Sequence, residues 1–217
     1  MKDLLLVLGM FSVLMIASCG DGNVFITPDP EIQANEDSAT IVNYLSDLGY
    51  EGDAVGVTES GVRYLILEEG DGVEIDESDI VTFHFIGYTL NDTIFDTSIQ
   101  EVADSIRLAV QEDTIGVDAS SIQLTLLSGF SENRNFAPVE ITYSASGWPI
   151  SGQFINGFSD GISATFNKMN VGGSSLVVLP SGEAYGTSGS GLLIPPNTVI
   201  AFELYPIGVV KQPPVED

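Results

Sequence analysis

Between Leu176 and Leu204 the chain reads LVVLPSGEAYGTSGSGLLIPPNTVIAFEL, and this stretch constrains the fold more than any other. An apolar run ends in Pro-Ser-Gly-Glu-Ala-Tyr-Gly. A flexible Gly/Ser loop then delivers Leu193-Ile194-Pro195-Pro196, and a closing strand holds Phe202. Leu176–Leu179 and Val199–Ile207 are expected strands on either side of that loop. Upstream, Val81 to Ser98 reads VTFHFIGYTLNDTIFDTS. Here a strand over Asp79–Leu90 puts Phe83 and Phe85 on one face and His84 on the other. Asn91-Asp92 turns the chain, and Thr93 to Asp96 begins the return strand. Phe158, Ile162, Phe166 and Met169 recur at i, i+4, i+8 and i+11, which predicts an amphipathic helix over 158–170.

The remaining elements are shorter. Gly61–Glu68 alternates as a strand and Gly70-Asp71-Gly72 turns it; Val139–Tyr143 is a further strand, and Ser144–Gly152 is a loop holding Trp148. Asp37 can cap a helix running through Leu48, with Ile41, Tyr44, Leu45 and Leu48 on one stripe and Gly49 ending it. A helix of that length is not stable alone, so the stripe is expected to pack on the main domain.

The amino terminus reads as an export signal. Lys2 precedes an apolar run, Leu4 to Ile16, and small residues follow in Ala17-Ser18-Cys19-Gly20. Such a run is too short to span a bilayer as a mature helix. Ile16-Ala17-Ser18-Cys19 resembles the lipobox of a bacterial lipoprotein, which makes Cys19 the expected lipid anchor. Gly20, rather than aspartate, after the cysteine resembles outer-membrane sorting. Residues 1–18 are thus an expected signal peptide, 19–36 a tether and 37–60 an amino-terminal helical segment, with a folded domain over 61–211. Cys19 is the only cysteine. Once it is lipidated, the exported domain has no thiol left to oxidise.

Acidic residues number 31 against six basic ones, for a net charge of −25. That balance speaks against nucleic acid as a partner, because phosphate binding needs Lys and Arg. A solubilising surface charge is the expectation; steering of basic client segments is the specific alternative. The acidic residues are dispersed and match no calcium loop. His84, the sole histidine, has no second histidine or cysteine with which to hold a metal and reads as a solvent-face strand residue. Neither a metal nor a cofactor is expected.

These segments, with Phe154 to Gly161 (FINGFSDG), resemble in sequence order the FKBP family, the tacrolimus-binding peptidyl-prolyl cis/trans isomerases. The resemblance covers roughly Gly61 to Val209. It implies an α+β domain in which a curved antiparallel sheet wraps a short α-helix, here with an added amino-terminal helix and a large insertion. That insertion, 99–137, contains Ala103–Val110 as a short helix and Ile122–Leu127 as a helix or a strand. An insertion of this length in a surface connection is either decoration or a binding element.

The resemblance also implies a proline pocket. Phe95 and Asp96 match the family's wall aromatic and its buried carboxylate. Phe154 and Ile155 match an apolar dipeptide whose backbone contacts the ligand, and Phe158 matches the pocket floor, usually tryptophan. Tyr185 matches the tyrosine whose hydroxyl donates to a substrate carbonyl. Leu193 and Ile194 match the apolar pair on the flap, Phe202 matches the aromatic of the closing strand, and Phe85 stands where a tyrosine is usual. Val139 or Ile141 replaces another wall aromatic. Lacking the usual tyrosine hydroxyl, Asp96 is expected to be less well satisfied or to reach water. Phe158 keeps an aromatic floor without the indole N–H. Jointly these residues predict an isomerase acting on proline-containing segments of exported proteins, anchored to the membrane through Cys19. The alternative is a non-catalytic binding module with the same fold.

Overall fold

The computed structural model describes residues 29–112, 120–146 and 155–213. Cys19 and the expected signal, Trp148 and Phe154 lie outside the described residues. The elements in order are α1 (Pro30–Asp47), β1 (Gly56–Val57), β2 (Arg63–Glu68), β3 (Ile80–Thr89), β4 (Ile94–Thr97), α2 (Gln100–Gln111), α3 (Ser120–Gly129), β5 (Val139–Thr142), α4 (Asn156–Thr165), β6 (Ser174–Leu179) and β7 (Ile200–Val210). All strands pair antiparallel in one sheet of order β1-β2-β6-β7-β3-β4, with β5 sharing the outer edge of β3. The architecture is α+β.

Helix α1 begins earlier than the sequence pattern suggests. Asp29 is its N-cap, accepting from the Glu31 N–H at 2.9 Å, and Pro30 stands at the first helical position. Proline there is preorganised for the helix and loses no hydrogen bond. The expected tether through residue 36 is therefore helical from Pro30 onward. The far end is as expected: Gly49 has φ +86°, and the Gly49 and Tyr50 N–H groups bond back to Ser46 and Leu45 in a Schellman closure.

Asp37 is consequently not a cap. It lies within α1, is 3 % exposed, and its carboxylate accepts from the Ser181 N–H (2.7 Å), the Ser181 Oγ–H (2.6 Å) and Gln33 Nε2 (2.8 Å). The contact fastens α1 to the loop that follows β6. Around it, Ile41 and Leu45 of α1 pack on Leu65, Leu176, Val178, Val199 and Ala201 from the convex face of the sheet.

The other face carries the main core. Phe83, Phe158, Ile162, Phe166, Val177, Leu179, Phe202 and Leu204 are buried there around α4. With α1 on one face and α4 on the other, all six residues of β6 are buried, and the strand reads as a continuous apolar run. Helix α4 lies close against β6 because Gly157 and Gly161 face it. A Cβ on Gly161 would sit 2.3 Å from Val177 Cγ1, and one on Gly157 would sit 2.7 Å from Leu179 Cγ. The α-helix ends at Thr165, and Phe166–Lys168 tighten into a 3-10 turn, so the helix stops short of the Asn170 expected from periodicity. Phe166 and Met169 remain buried through that turn.

The described part of insertion 99–137 carries two helices: α2 extends beyond Ala103–Val110 at both ends, and Ile122–Leu127 lies within α3. Ala103, Val110, Leu126, Phe130 and Phe136 form a small core of their own against β4. The chain leaves the sheet where the edge of β3 changes partner, from β5 at Ile80–Phe83 to β4 at Ile86–Tyr88. His84 sits at that switch, half-buried rather than solvent-facing. Its Nδ1 lies 2.9 Å from Ser98 Oγ, which also accepts from the Phe85 N–H.

Two substitutions test these contacts by denaturant unfolding. Gly161→Ala should cost about 1–3 kcal/mol by overpacking against Val177, whereas Gly182→Ala, with nothing within 4 Å of its Cβ position, should be nearly neutral. Asp37→Ala leaves the buried Ser181 donors unsatisfied and should cost about 1–3 kcal/mol.

Candidate functional site

Strand alternation places Phe83 and Phe85 on the concave face of β3, and the next position on that face is Gly87. A Cβ on Gly87 would meet the Phe202 ring at 2.6 Å and the Phe95 ring at 2.9 Å. The missing side chain is the space those two rings occupy. Phe95 comes over it because β4 carries a bulge: Gly87 pairs with Asp96 and Tyr88 with Ile94, leaving Phe95 unpaired. A bulge re-aims side chains. Here it lets Phe95 join the concave aromatics while its neighbour Asp96 keeps its charge near Tyr185.

The rings form one connected group. Phe158, at the start of α4, is 4 % exposed and lies 4.6 Å from Phe202, 5.8 Å from Phe85 and 6.3 Å from Phe83 between centroids. Phe95 stands edge-on to Phe202 at 5.6 Å and 89°. Such tilted and edge-to-face pairs suit the ring quadrupoles. Ile155, Tyr185 and Leu193 are half-buried against the same cluster, and Ile194 is buried in it. Of the residues singled out in the sequence, Phe85, Phe95, Phe158, Ile155, Tyr185, Leu193, Ile194 and Phe202 thus come together, with Asp96 at their edge. Phe154 lies outside the described residues, and Val139 and Ile141 border the cluster from β5.

The flap loop that carries Leu193 and Ile194 is closed by its own backbone. Ser190 and Ile194 exchange hydrogen bonds at 2.7 and 3.2 Å, and the Asn197 N–H donates to the Gly186 carbonyl at 2.8 Å. Gly189 has φ +62°, and a Cβ there would lie 2.4 Å from the Ile194 oxygen, so the turn needs glycine. At the opposite wall Ile155 precedes α4 with no side-chain cap. Of the first-turn N–H groups, those of Phe158 and Ser159 donate to the Ile155 carbonyl at 3.1 and 3.3 Å.

Asp96 is open to water, one of the two alternatives expected for it, and so is not the buried carboxylate that the family resemblance implies. Its side chain is 39 % exposed rather than buried, and it is not short of a partner. Arg134, from the end of the insertion, reaches its Oδ1 at 2.5 Å and also donates to the Gly129 carbonyl at 3.0 Å. The Arg134 guanidinium is further held over the Phe136 ring, 5.0 Å from its centroid. At this exposure the Asp96–Arg134 pair contributes no more than about 1 kcal/mol to stability, so its role is to orient the carboxylate. Sequence reasoning missed Arg134 and Gly87. The first is 38 residues from Asp96, with most of the insertion between them; the second is noticed only when its strand register is known.

The Tyr185 hydroxyl, half-buried against this cluster, has no hydrogen-bond partner among the described residues; the buried Ser159 and Ser175 hydroxyls are likewise unpartnered. Burial, and then the charge of Asp96, raise the Tyr185 pKa above the ordinary tyrosine value. The hydroxyl is therefore a donor throughout the neutral range. Removing the Asp96 charge in Asp96→Asn should move the Tyr185 titration back toward the ordinary value, as followed by NMR of ring-labelled tyrosine.

Residues 137–205 match the family model described as FKBP-type peptidyl-prolyl cis-trans isomerase. The match begins where the insertion ends. A probable FKBP-type peptidyl-prolyl cis-trans isomerase FkpA of Neisseria meningitidis serogroup B is 26 % identical over 166 residues, covering 76 % of this chain but 44 % of the relative. An FK506-binding protein of the same species is 27 % identical over 138 residues, covering 64 % of this chain and 86 % of that one. Among solved structures, Escherichia coli FkpA aligns at 19 % identity and TM-score 0.46, over 84 % of this chain and 63 % of its own. A peptidyl-prolyl cis-trans isomerase of Pseudomonas syringae pv. tomato aligns at 18 % identity and TM-score 0.47, over 84 % and 97 %. Over residues 137–205, and more loosely beyond them, the chain is thus similar to FKBP-type peptidyl-prolyl cis-trans isomerases.

Proposed function

We propose that the protein is a peptidyl-prolyl cis/trans isomerase of the cell envelope, exported and lipid-anchored through Cys19, that assists folding of exported proteins. The observation that carries the reading is an apolar aromatic cluster bordered by the half-buried Tyr185 hydroxyl, in a chain that resembles FKBP-type isomerases over residues 137–205.

The chemistry needs no nucleophile. Rotation about a peptide bond is opposed by about 18–20 kcal/mol of lost amide resonance, and prolyl bonds populate both isomers but exchange over tens to hundreds of seconds. The twisted amide has less charge separation than the planar one, so an apolar site disfavours the twisted form less. Phe85, Phe95, Phe158 and Phe202 enclose the proline ring in this reading, with Ile155 and the flap residues Leu193 and Ile194 excluding water. The Tyr185 hydroxyl donates to the carbonyl of the substrate and holds one side of the bond while the other turns. Burial first, and the charge of Asp96 second, hold the Tyr185 proton in place. A non-catalytic binding module is the second reading. It is favoured by Phe158, which leaves the floor narrower than the indole usual in the family and without its N–H.

In a protease-coupled assay on a proline tetrapeptide, Tyr185→Phe should lower kcat/KM a few-fold to about tenfold, one hydrogen bond being on the order of 0.5–1.5 kcal/mol. Phe158→Trp should raise activity if the floor is merely undersized. No rate above uncatalysed exchange in either the wild type or Phe158→Trp would sink the enzyme reading. Because Tyr185 has a raised pKa, the rate should be flat through neutral pH and fall only above about 10, where an ordinary tyrosine begins to lose its proton.

Anchoring is tested separately. A tagged fatty acid fed to cells should label the protein, and Cys19→Ser should abolish the label and release the domain to the soluble fraction. Continued labelling of the mutant would overturn the lipid anchor.

A further inference from the structure

A groove of about 760 Å³ opens beside the flap, where Leu193 serves as a wall common to it and to the aromatic cluster. Further walls come from the flap and its return, Leu192, Pro195 and Val199 among them, and others from parts of the chain outside the segment that matches the family model. Glu36 and Thr40 line it from α1, Asn91 from the β3–β4 turn and Ile122 from the insertion helix α3. That volume falls within the range of pockets that enclose a ligand, about 300–1,000 Å³. Both hydrogen-bonding side chains (Gln33, Thr40, Asn91) and apolar ones (Leu90, Ile122, Leu192) line it. Among the described residues its charged lining is acidic only: Asp37 is engaged with Ser181, and Glu36 is exposed.

We propose that this groove is a second subsite, which receives the extended polypeptide flanking the proline and favours a basic residue in that flank. The proposal rests on the isomerase reading above. Leu193 makes the two sites continuous: a chain whose proline lies under the flap passes Leu193 on leaving, and each further residue advances it about 3.3 Å. The charge selects the occupant. A second copy of a chain with net charge −25 would be repelled by the Glu36 wall, whereas a lysine or arginine would be drawn to it. The insertion and α1 thereby become parts of substrate selection, since each supplies one side of the groove.

The test compares, with the full chain, a proline tetrapeptide and two longer peptides that differ only in carrying lysines or glutamates in the residues flanking proline. The lysine peptide should show a KM about two- to fivefold lower, the effect of one partly exposed ion pair. kcat should be equal for the two, and the difference should vanish in high salt. Glu36→Lys should abolish the preference and Thr40→Trp should raise KM for both long peptides, each leaving tetrapeptide turnover unchanged. Equal KM values with tetrapeptide turnover intact would overturn the subsite and leave the isomerase reading standing. So would a lysine preference that persists in Glu36→Lys, because it would then belong to the general surface charge. If Glu36→Lys altered sedimentation of the chain instead of KM, a second copy would be the occupant and the subsite would likewise fall. Absence of tetrapeptide turnover would overturn the isomerase reading and this inference together.

Discussion

The close approach of α4 to β6 is the constraint on which the rest of the structure depends. Gly157 and Gly161, four residues apart on one face of the helix, let its backbone settle against Val177 and Leu179. Any side chain there would lift the helix. Lifting it would carry Phe158 away from Phe202, its nearest ring neighbour at 4.6 Å, and would open the floor of the aromatic cluster. The helix start, whose N–H groups have no side-chain cap, is set at the mouth by the same contact. Burial of large aromatics is the main favourable term in such a core. Two glycines decide whether that burial is geometrically available.

The opposite face of the sheet is closed by a different device. Helix α1 covers it with an apolar stripe, and a buried carboxylate, Asp37, fixes its position by accepting both the backbone and the hydroxyl hydrogen of Ser181. A buried carboxylate is tolerable because each contact is a directed hydrogen bond. Ser181 opens the loop that leads to Tyr185, so the helix and the candidate donor are joined through one short segment. Stability on the convex face and geometry on the concave face are thus coupled through residues 181–185.

The insertion has a similar double character. It carries its own small core, so it is a folded unit and not a slack loop. Leu193 packs against that core as well as against the aromatic cluster, which ties the flap to the insertion. Arg134, near the insertion's end, returns to Asp96. The extra residues between β4 and β5 therefore border the candidate site from two directions.

Local chemistry was enough to read much of this from the sequence. The strand at β3, the helix stripe of Phe158, Ile162 and Phe166, the Gly49 helix stop and the order of the flap residues all follow from periodicity or from turn residues. Phe95, Phe158, Tyr185 and Ile194 could be grouped because their motifs resemble a family in sequence order. The helix ends were less legible: α1 starts at Asp29-Pro30, where no apolar stripe marks it, and α4 tightens after Thr165 because packing, not propensity, decides its last turn. What tertiary structure alone decided is what depends on juxtaposition. The β4 bulge turns Phe95 over Gly87, the partner of Asp96 is an arginine 38 residues away, and Asp37 serves a loop 144 residues distant. A sequence records which side chains can bond or pack. Which of them meet is set by the register of the sheet and by how closely its helices can lie on it.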